Sequence, residues 1–452
     1  MESKSNFDLE AFLNTKPLTV IEAREKFSAP DTFYTSQFQP KETHDNHPAE
    51  TPSEKTDTDK ITTEIADLSI KDQHKSDETT EIPKDNSHPI EHNTTQTMAK
   101  LFKQLSYDAA HKYINHRVSI APMLDITNTH YRTFARLLTS YSILYTEMIH
   151  CDTILNSKFV DAYLSFDPVQ HPVVLQLGGS NPDHLAKAAK LAVEKYGYDE
   201  INLNCGCPSP RVTCGSFGAC LMKEPELVSE CINAIKAVVS VPVHIKCRLG
   251  VDEHDSYEFA RNFIATLSSK TNMDHFIIHA RKAYLKGLNP KENRTVPPLK
   301  YDYVYQLATD FPHINFSING GIKTIAEMRG LLERGNLLGC MIGRVAYENI
   351  WTLAKVDKDI FGVQGPGYSR REALLAYGQY CDNALKLNPS LNYSTLIKPM
   401  LSLFTGEKGA TLFRRFLSER NHFEEEGSVA GVIAKLIKEM EAVNIEALDE
   451  RV

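Results

Sequence analysis

Between residues 116 and 347 the chain alternates apolar runs of strand length with segments of helical period. The runs are Val118–Met123, Ile143–Ile149, Pro172–Gly179, Glu200–Gly206, Pro242–Gly250, His275–Arg281, Ile314–Gly321 and Leu338–Tyr347. They are near-continuously apolar, the pattern of strands buried on both faces of a parallel sheet. Eight strand–helix units in succession predict an α/β fold, a closed (β/α)8 TIM barrel. A doubly wound open sheet is the competitor. Ala121-Pro122-Met123-Leu124-Asp125, after the first run, lacks the glycine fingerprint such a sheet carries there.

The helical segments have legible ends. Asn181-Pro182-Asp183 supplies an N-cap and a first-turn proline, and Gly197 closes that helix. Thr324–Arg334 reads the same way and stops at Gly335. Beyond about residue 365 the pattern is purely helical, over Ser369–Lys386 and Val429–Glu441, with the basic-aromatic run Thr411–Phe416 between them. The expected organisation is an extension over residues 1–112, a barrel over 113–360 and a small all-α C-terminal domain over 361–452.

Charge separates the extension from the rest. The first hundred residues hold 20 acidic and 11 basic side chains, whereas the whole chain carries a net charge of −8, so the remainder is nearly neutral. Residues 38–98 contain few large apolar side chains and cannot offset the entropy of ordering them, which predicts a disordered acidic extension. Its acidity excludes an Arg-rich transit peptide, and no run is long enough to span a membrane. Nine cysteines, all after residue 150, do not form a disulfide framework. A cytoplasmic, reduced protein is expected, acting as a monomer with no membrane contact.

Function in a barrel resides at the carboxyl ends of the strands. Those ends carry Pro122 and Met123, Gln176, Asn204 and Cys207, Lys246 and Arg248, His279 and Arg281, Asn319-Gly320-Gly321, and Gly343-Arg344. Glycines after the seventh and eighth strands let backbone N–H groups approach an anion at the usual barrel phosphate site. A phosphate-bearing cofactor is implied. Gln176 and Asn319 suit the polar edge of a planar ring, Met123 its face, and Lys246 an electron-rich edge. Cys207 sits in a Gly/Pro turn at a strand end, where a thiol does chemistry more readily than packing. Cys205, Cys207, Cys214 and Cys220 match no standard zinc spacing, so no metal is expected.

These residues stand in motifs that resemble the flavin-dependent tRNA-dihydrouridine synthases, above all the bacterial-type group acting on D-loop positions 20/20a. The motifs are Ala121–Asp125, Leu175–Gly179, Asn202–Ser209, Phe217–Met222, His279–Leu288, Lys291–Arg294 and Val296–Leu299. The resemblance spans about residues 115–420. It implies FMN held by Pro122, Met123, Leu124, Gln176, Lys246, His279, Asn319, Gly320, Gly321, Gly343 and Arg344, with NADPH as reductant. It makes Cys207 the proton donor, and Asn204, Lys291, Arg294 and Arg414 contacts to tRNA. The chain departs from the pattern at Thr411, where an arginine is usual, and at Pro399, where a histidine is usual.

Reduction of the C5–C6 bond of a D-loop uridine is the expected activity. Two other readings compete with it. One is a flavin barrel reducing a small dihydropyrimidine- or dihydroorotate-like molecule, which has no use for a basic helical tail. The other is a tRNA-binding protein without catalysis, for which Cys207 is dispensable. Phe413 and Phe416 are read as packing residues rather than base stackers.

Overall fold

The computed structural model describes residues 115–452, so the acidic extension read over residues 1–112 lies outside the described residues. Eight parallel strands close a barrel in chain order. They are β1 (Val118–Ile120), β2 (Ile143–His150), β3 (Val173–Gly178), β4 (Glu200–Cys205), β5 (Val243–Arg248), β6 (His275–His279), β7 (Asn315–Asn319) and β8 (Gly339–Ile342). Pairing of Val118 with Cys340 and of Ile120 with Ile342 shuts the sheet and excludes the doubly wound alternative.

Two strands, β1 and β8, stop well short of the ends of their apolar runs. β1 ends at Ile120 because Pro122 has no N–H for a ladder, and Met123 N–H turns to the Thr127 hydroxyl at 3.0 Å. β8 ends at Ile342, after which Gly343-Arg344 leads into a short helix over Val345–Glu348. In both cases the residues beyond the strand are the ones that face the barrel mouth.

Helices α1 (Thr129–Leu138), α2 (Pro182–Tyr196), α3 (Pro225–Lys236), α4 (Tyr257–Thr271), α5 (Tyr301–Asp310) and α6 (Ile325–Arg334) cover the sheet. Asn181 caps α2, its Oδ1 accepting from His184 N at 3.0 Å. Thr324 and Glu327 cap α6 reciprocally, with Glu327 N to Thr324 Oγ1 at 3.1 Å and Thr324 N to Glu327 Oε2 at 3.2 Å. Gly335 closes α6 with extended backbone. What requires glycine there is packing, since a Cβ would lie 2.6 Å from the Tyr305 ring.

The amino-terminal end of the barrel is floored by a polar cluster. Glu200, the first residue of β4, lies 3.0 Å from His116 Nε2 and 2.7 Å from His244 Nε2. His275 Nε2 meets Ser317 Oγ at 2.9 Å, and its ring sits 4.7 Å from that of His116 and 4.8 Å from that of His244. Burial pushes the Glu200 carboxyl up, and the two histidines more than reverse it, leaving it well below the usual range.

The C-terminal helices α7 (Arg370–Leu387), α8 (Ala410–Ser418) and α9 (Val429–Asp449) pack on the barrel through α1. His130 Nδ1 meets the Tyr380 hydroxyl at 2.8 Å, and the rings of Phe134 and Tyr377 lie 4.8 Å apart. Arg370 is fully buried, donating to Leu403 O at 3.0 Å and to Glu450 at 2.7 Å, with its guanidinium 4.1 Å over Trp351. α9 runs past the expected end at Glu441, with a break at Asn444. In α8, Phe413 and Phe416 are buried while Arg414 and Arg415 are exposed, the division expected of an amphipathic helix with an apolar stripe.

Candidate active site

The carboxyl ends of the strands enclose a cavity of about 1200 Å³. Its wall includes Pro122, Met123, Leu124, Gln176, Lys246, His279, Asn319, Gly320, Gly321, Gly343 and Arg344, together with Asn204, Cys207 and Arg294. Register brings this about. Asn204 pairs with Lys246, and two residues further along β5 Arg248 pairs with His279, which pairs with Asn319, so two successive rows of the barrel bring them to its mouth. Lys291 and Arg414 are exposed and do not line the cavity. The Leu124 side chain is 68% exposed, so its contribution to the wall is mainly backbone.

Cys207 is half-buried and its peptide is held from both sides. Asn204 Oδ1 accepts from Gly206 N at 3.1 Å and from Cys207 N at 2.9 Å, and Ala219 N donates to Cys207 O at 2.9 Å. Asn204 Nδ2 in turn donates to Gln176 Oε1 at 2.8 Å, and Gln176 Nε2 to Asn202 Oδ1 at 2.8 Å. Three buried amides thus connect the ring-edge position to the cysteine turn. Asn204, read from the resemblance as a tRNA contact, spends most of its hydrogen-bonding capacity inside the protein. Asn204→Ala is expected to lower the catalytic rate about tenfold or more while raising the KM for tRNA little. The warrant is that misplacing a reacting group by a fraction of an ångström is costly. Steady-state kinetics with tRNA substrate checks it, and a pure KM effect would assign Asn204 to binding instead.

Lys246 has no hydrogen-bond or ion-pair partner among the described residues. Its surroundings lower its pKa to about 8, first through burial and then through Arg248. An ammonium kept in such a place without a carboxylate suits an anionic or electron-rich ligand. His279 is buried, and burial followed by the charges of Arg248 and Lys246 holds it well below the usual histidine range, so the imidazole is neutral. A Cβ on Gly320, whose φ is +114°, would lie 2.6 Å from the His279 ring. At Gly343 a Cβ would meet nothing nearer than 3.8 Å and would only fill cavity space.

The cavity wall carries the cationic side chains of Arg132, Arg211, Lys246, Arg248, Arg294, Lys323 and Arg344, against the acids Asp125, Glu147 and Glu348. The excess of positive charge favours a polyanionic ligand. The sequence placed Arg248 at a strand end and Asn293 within a motif but assigned neither a role. Arg248 donates to Gly206 O at 2.9 Å, to Lys282 O at 2.9 Å and to Asn293 O at 3.0 Å, fastening two loops. Asn293, fully buried, accepts from Tyr284 N at 2.8 Å and donates to Tyr284 O at 2.9 Å. It anchors the Lys291–Arg294 turn so that Lys291 and Arg294 face solvent. An asparagine between charged residues is the only sequence sign of such an anchor.

Among the described residues one group, His150, Cys151 and Asp152, brings metal-ligating atoms within 4.8 Å of one another. Each atom is otherwise engaged. His150 Nδ1 accepts from Asp152 N at 3.2 Å, Asp152 Oδ1 takes His184 Nδ1 at 2.6 Å, and burial pushes the Cys151 thiol up to about 12. The cysteines of residues 205–220 form no such group, and Cys205 is fully buried in the barrel.

Known proteins are similar to this chain in sequence. The tRNA-dihydrouridine(20/20a) synthase of Shewanella oneidensis is 50% identical over 311 residues, which covers 69% of this chain and 90% of the relative. Its counterpart in Vibrio cholerae is 49% identical over 306 residues, 68% of this chain and 91% of the relative. That of Escherichia coli K12 is 50% identical over 306 residues, 68% of this chain and 87% of the relative. The dihydrouridine synthase (Dus) pattern itself matches residues 119–441, from the first barrel strand into the last helix. A closed barrel, a cysteine turn tied to its mouth and a match of that length agree: the chain belongs to the dihydrouridine synthase family.

Proposed function

We propose that the protein is a tRNA-dihydrouridine synthase that reduces the C5–C6 bond of uridine at D-loop position 20 or 20a, using FMN and NADPH. The observation that carries this reading is the single cavity that joins Cys207 to Lys246, His279, Asn319 and the glycines after β7 and β8. The printed names of the relatives point to the same substrate and positions.

The residues present fit FMN. The partnerless Lys246 would face the electron-rich edge of the ring, with Gln176 and Asn319 at its polar edge and Met123 on its face. Gly320, Gly321, Gly343 and Arg344 would receive the phosphate, with backbone close enough because no Cβ intervenes at Gly343. Bound FMN, reduced by NADPH, supplies the hydride that C6 of the uracil takes up. The protein supplies the rest. Cys207 Sγ–H gives its proton to C5, and Asn204 holds the thiol-bearing turn while it does so. The target uridine leaves the tRNA stack to enter the cavity. Lys291, Arg294 and Arg414, exposed around the barrel and tail, bind tRNA phosphates, so affinity falls as salt rises. Residues 361–452 thereby act as a tRNA-binding domain, and the substrate places the protein in the cytoplasm.

The test is incubation of purified protein with FMN, NADPH and an unmodified tRNA transcript, followed by mass-spectrometric mapping of dihydrouridine. Product at position 20 or 20a is expected, and its absence throughout the D-loop overturns the proposal. Lys291→Ala and Arg414→Ala, both outside the cavity wall, separate the small-molecule alternative, which predicts both to be silent. Point substitutions serve better than removing the tail, because Phe134–Tyr377 and His130–Tyr380 contacts join it to the barrel.

A further inference from the structure

Asp125 occupies an unusual backbone position. Its φ is +61°, in the left-handed region that residues other than glycine seldom adopt. The turn containing it follows directly on Pro122, Met123 and Leu124, and Thr127 ties it together by accepting from Met123 N at 3.0 Å. Asp125 is held by two charged side chains from elsewhere in the chain. Its N–H donates to the Glu147 carboxylate of β2, and its carbonyl accepts from the Lys398 ammonium. Lys398 belongs to the C-terminal helical segment, on a short turn over Lys398–Met400 whose Pro399 and Met400 are buried. The neighbouring Thr395 and Thr405 also line the cavity, so this segment forms part of its wall.

We propose that Lys398 and Glu147 clamp the Asp125 peptide and are positioning residues for the cofactor turn, so that the helical tail sets flavin affinity as well as contacting tRNA. The inference rests on the proposed flavin reading of the cavity. Each charge matches the dipole of the peptide group it meets, the Glu147 carboxylate at the Leu124–Asp125 N–H and the Lys398 ammonium at the Asp125–Ile126 carbonyl, and the pair holds the turn in a conformation it would leave if either were removed. Burial raises the Glu147 pKa above its usual value, and the Asp125 N–H, Arg132 and Lys398 act in the opposite direction. Lys398, itself outside the cavity wall, then acts on the cofactor turn through its hydrogen bond to the Asp125 carbonyl.

Titration of flavin-free protein with FMN, read by flavin fluorescence in the absence of tRNA, tests the clamp. Lys398→Met keeps the aliphatic stem and removes the ammonium, and is expected to weaken FMN binding about five- to tenfold, the loss of one charge-assisted bond. Lys398→Arg should restore affinity to within about twofold, because it can still donate to the Asp125 carbonyl. Glu147→Ala should weaken FMN binding by a similar factor, and adding it to Lys398→Met should cost less than the product of the two. Unchanged FMN affinity in Lys398→Met, with a raised KM for tRNA, would make Lys398 a tRNA contact and overturn the clamp alone. Failure of the unaltered protein to bind FMN would overturn the function proposed above together with the clamp. Wild-type melting behaviour in Lys398→Met is expected because Lys398 is exposed. Should that variant unfold, Lys398→Arg and Glu147→Ala decide the question.

Discussion

Replacing Cys207 by alanine is expected to lower dihydrouridine formation by about 10²- to 10⁴-fold, the contribution of a positioned proton donor. Flavin colour and tRNA affinity should persist. The expectation follows from how the turn is held. Asn204 and Ala219 grip the Cys207 peptide rather than its side chain, so alanine leaves the turn in place and removes only the thiol. Single-turnover reduction of tRNA, followed by mass spectrometry, is the measurement. Cys205→Ala is the control. That side chain is fully buried and outside the cavity wall, so its loss should reduce stability and leave the rate of the chemical step intact. A Cys207→Ala protein within about threefold of the wild-type rate would mean that another group protonates C5.

The second large effect is on folding. Glu200→Ala is expected to destabilise the protein by about 3–5 kcal/mol, the cost of leaving buried polar partners without their counter-charge. His116 and His244 both face that carboxylate at the barrel floor. The pH dependence has a definite sign. The folded-state pKa of Glu200 is depressed, so its contribution is fully present above the unfolded value of about 4.3. That contribution is lost as pH falls from there toward the depressed folded value. Urea denaturation of wild type and Glu200→Gln, at neutral pH and at successively lower pH, should show a stability gap that closes on acidification. A gap independent of pH would assign the effect to packing instead of charge.

Most of the fold was legible because a parallel barrel strand is buried on both faces and therefore writes itself as an unbroken apolar run. Seven of the eight strands fall within the runs read from sequence, β2 passes the end of its run by the single residue His150, and the caps at Asn181 and Thr324 mark the helices they precede. Strand ends were less legible. The apolar character of Ala121–Met123 and Gly343–Tyr347 continues past the last ladder bond, since residues lining a cavity mouth look like residues in a core. Similarly, Gly335 reads as a helix stop, although the Tyr305 ring is what excludes a side chain there.

The site divides along the same lines. Residue types at the strand ends, with the motifs around them, determined the barrel, the family and the set of side chains at the mouth. Those features are local, because strand order and side-chain alternation place a residue without knowledge of its neighbours across the sheet. Tertiary structure alone decided how the polar groups are spent. It turned Asn204 inward to hold the Cys207 turn and gave Asn293 the task of anchoring the Lys291–Arg294 loop. It left Lys246 without a hydrogen-bond or ion-pair partner among the described residues and brought Lys398 from the tail onto the Asp125 carbonyl. Hydrogen bonds between residues up to 273 positions apart leave no periodic trace in a sequence, because each depends on where two distant backbones meet in space.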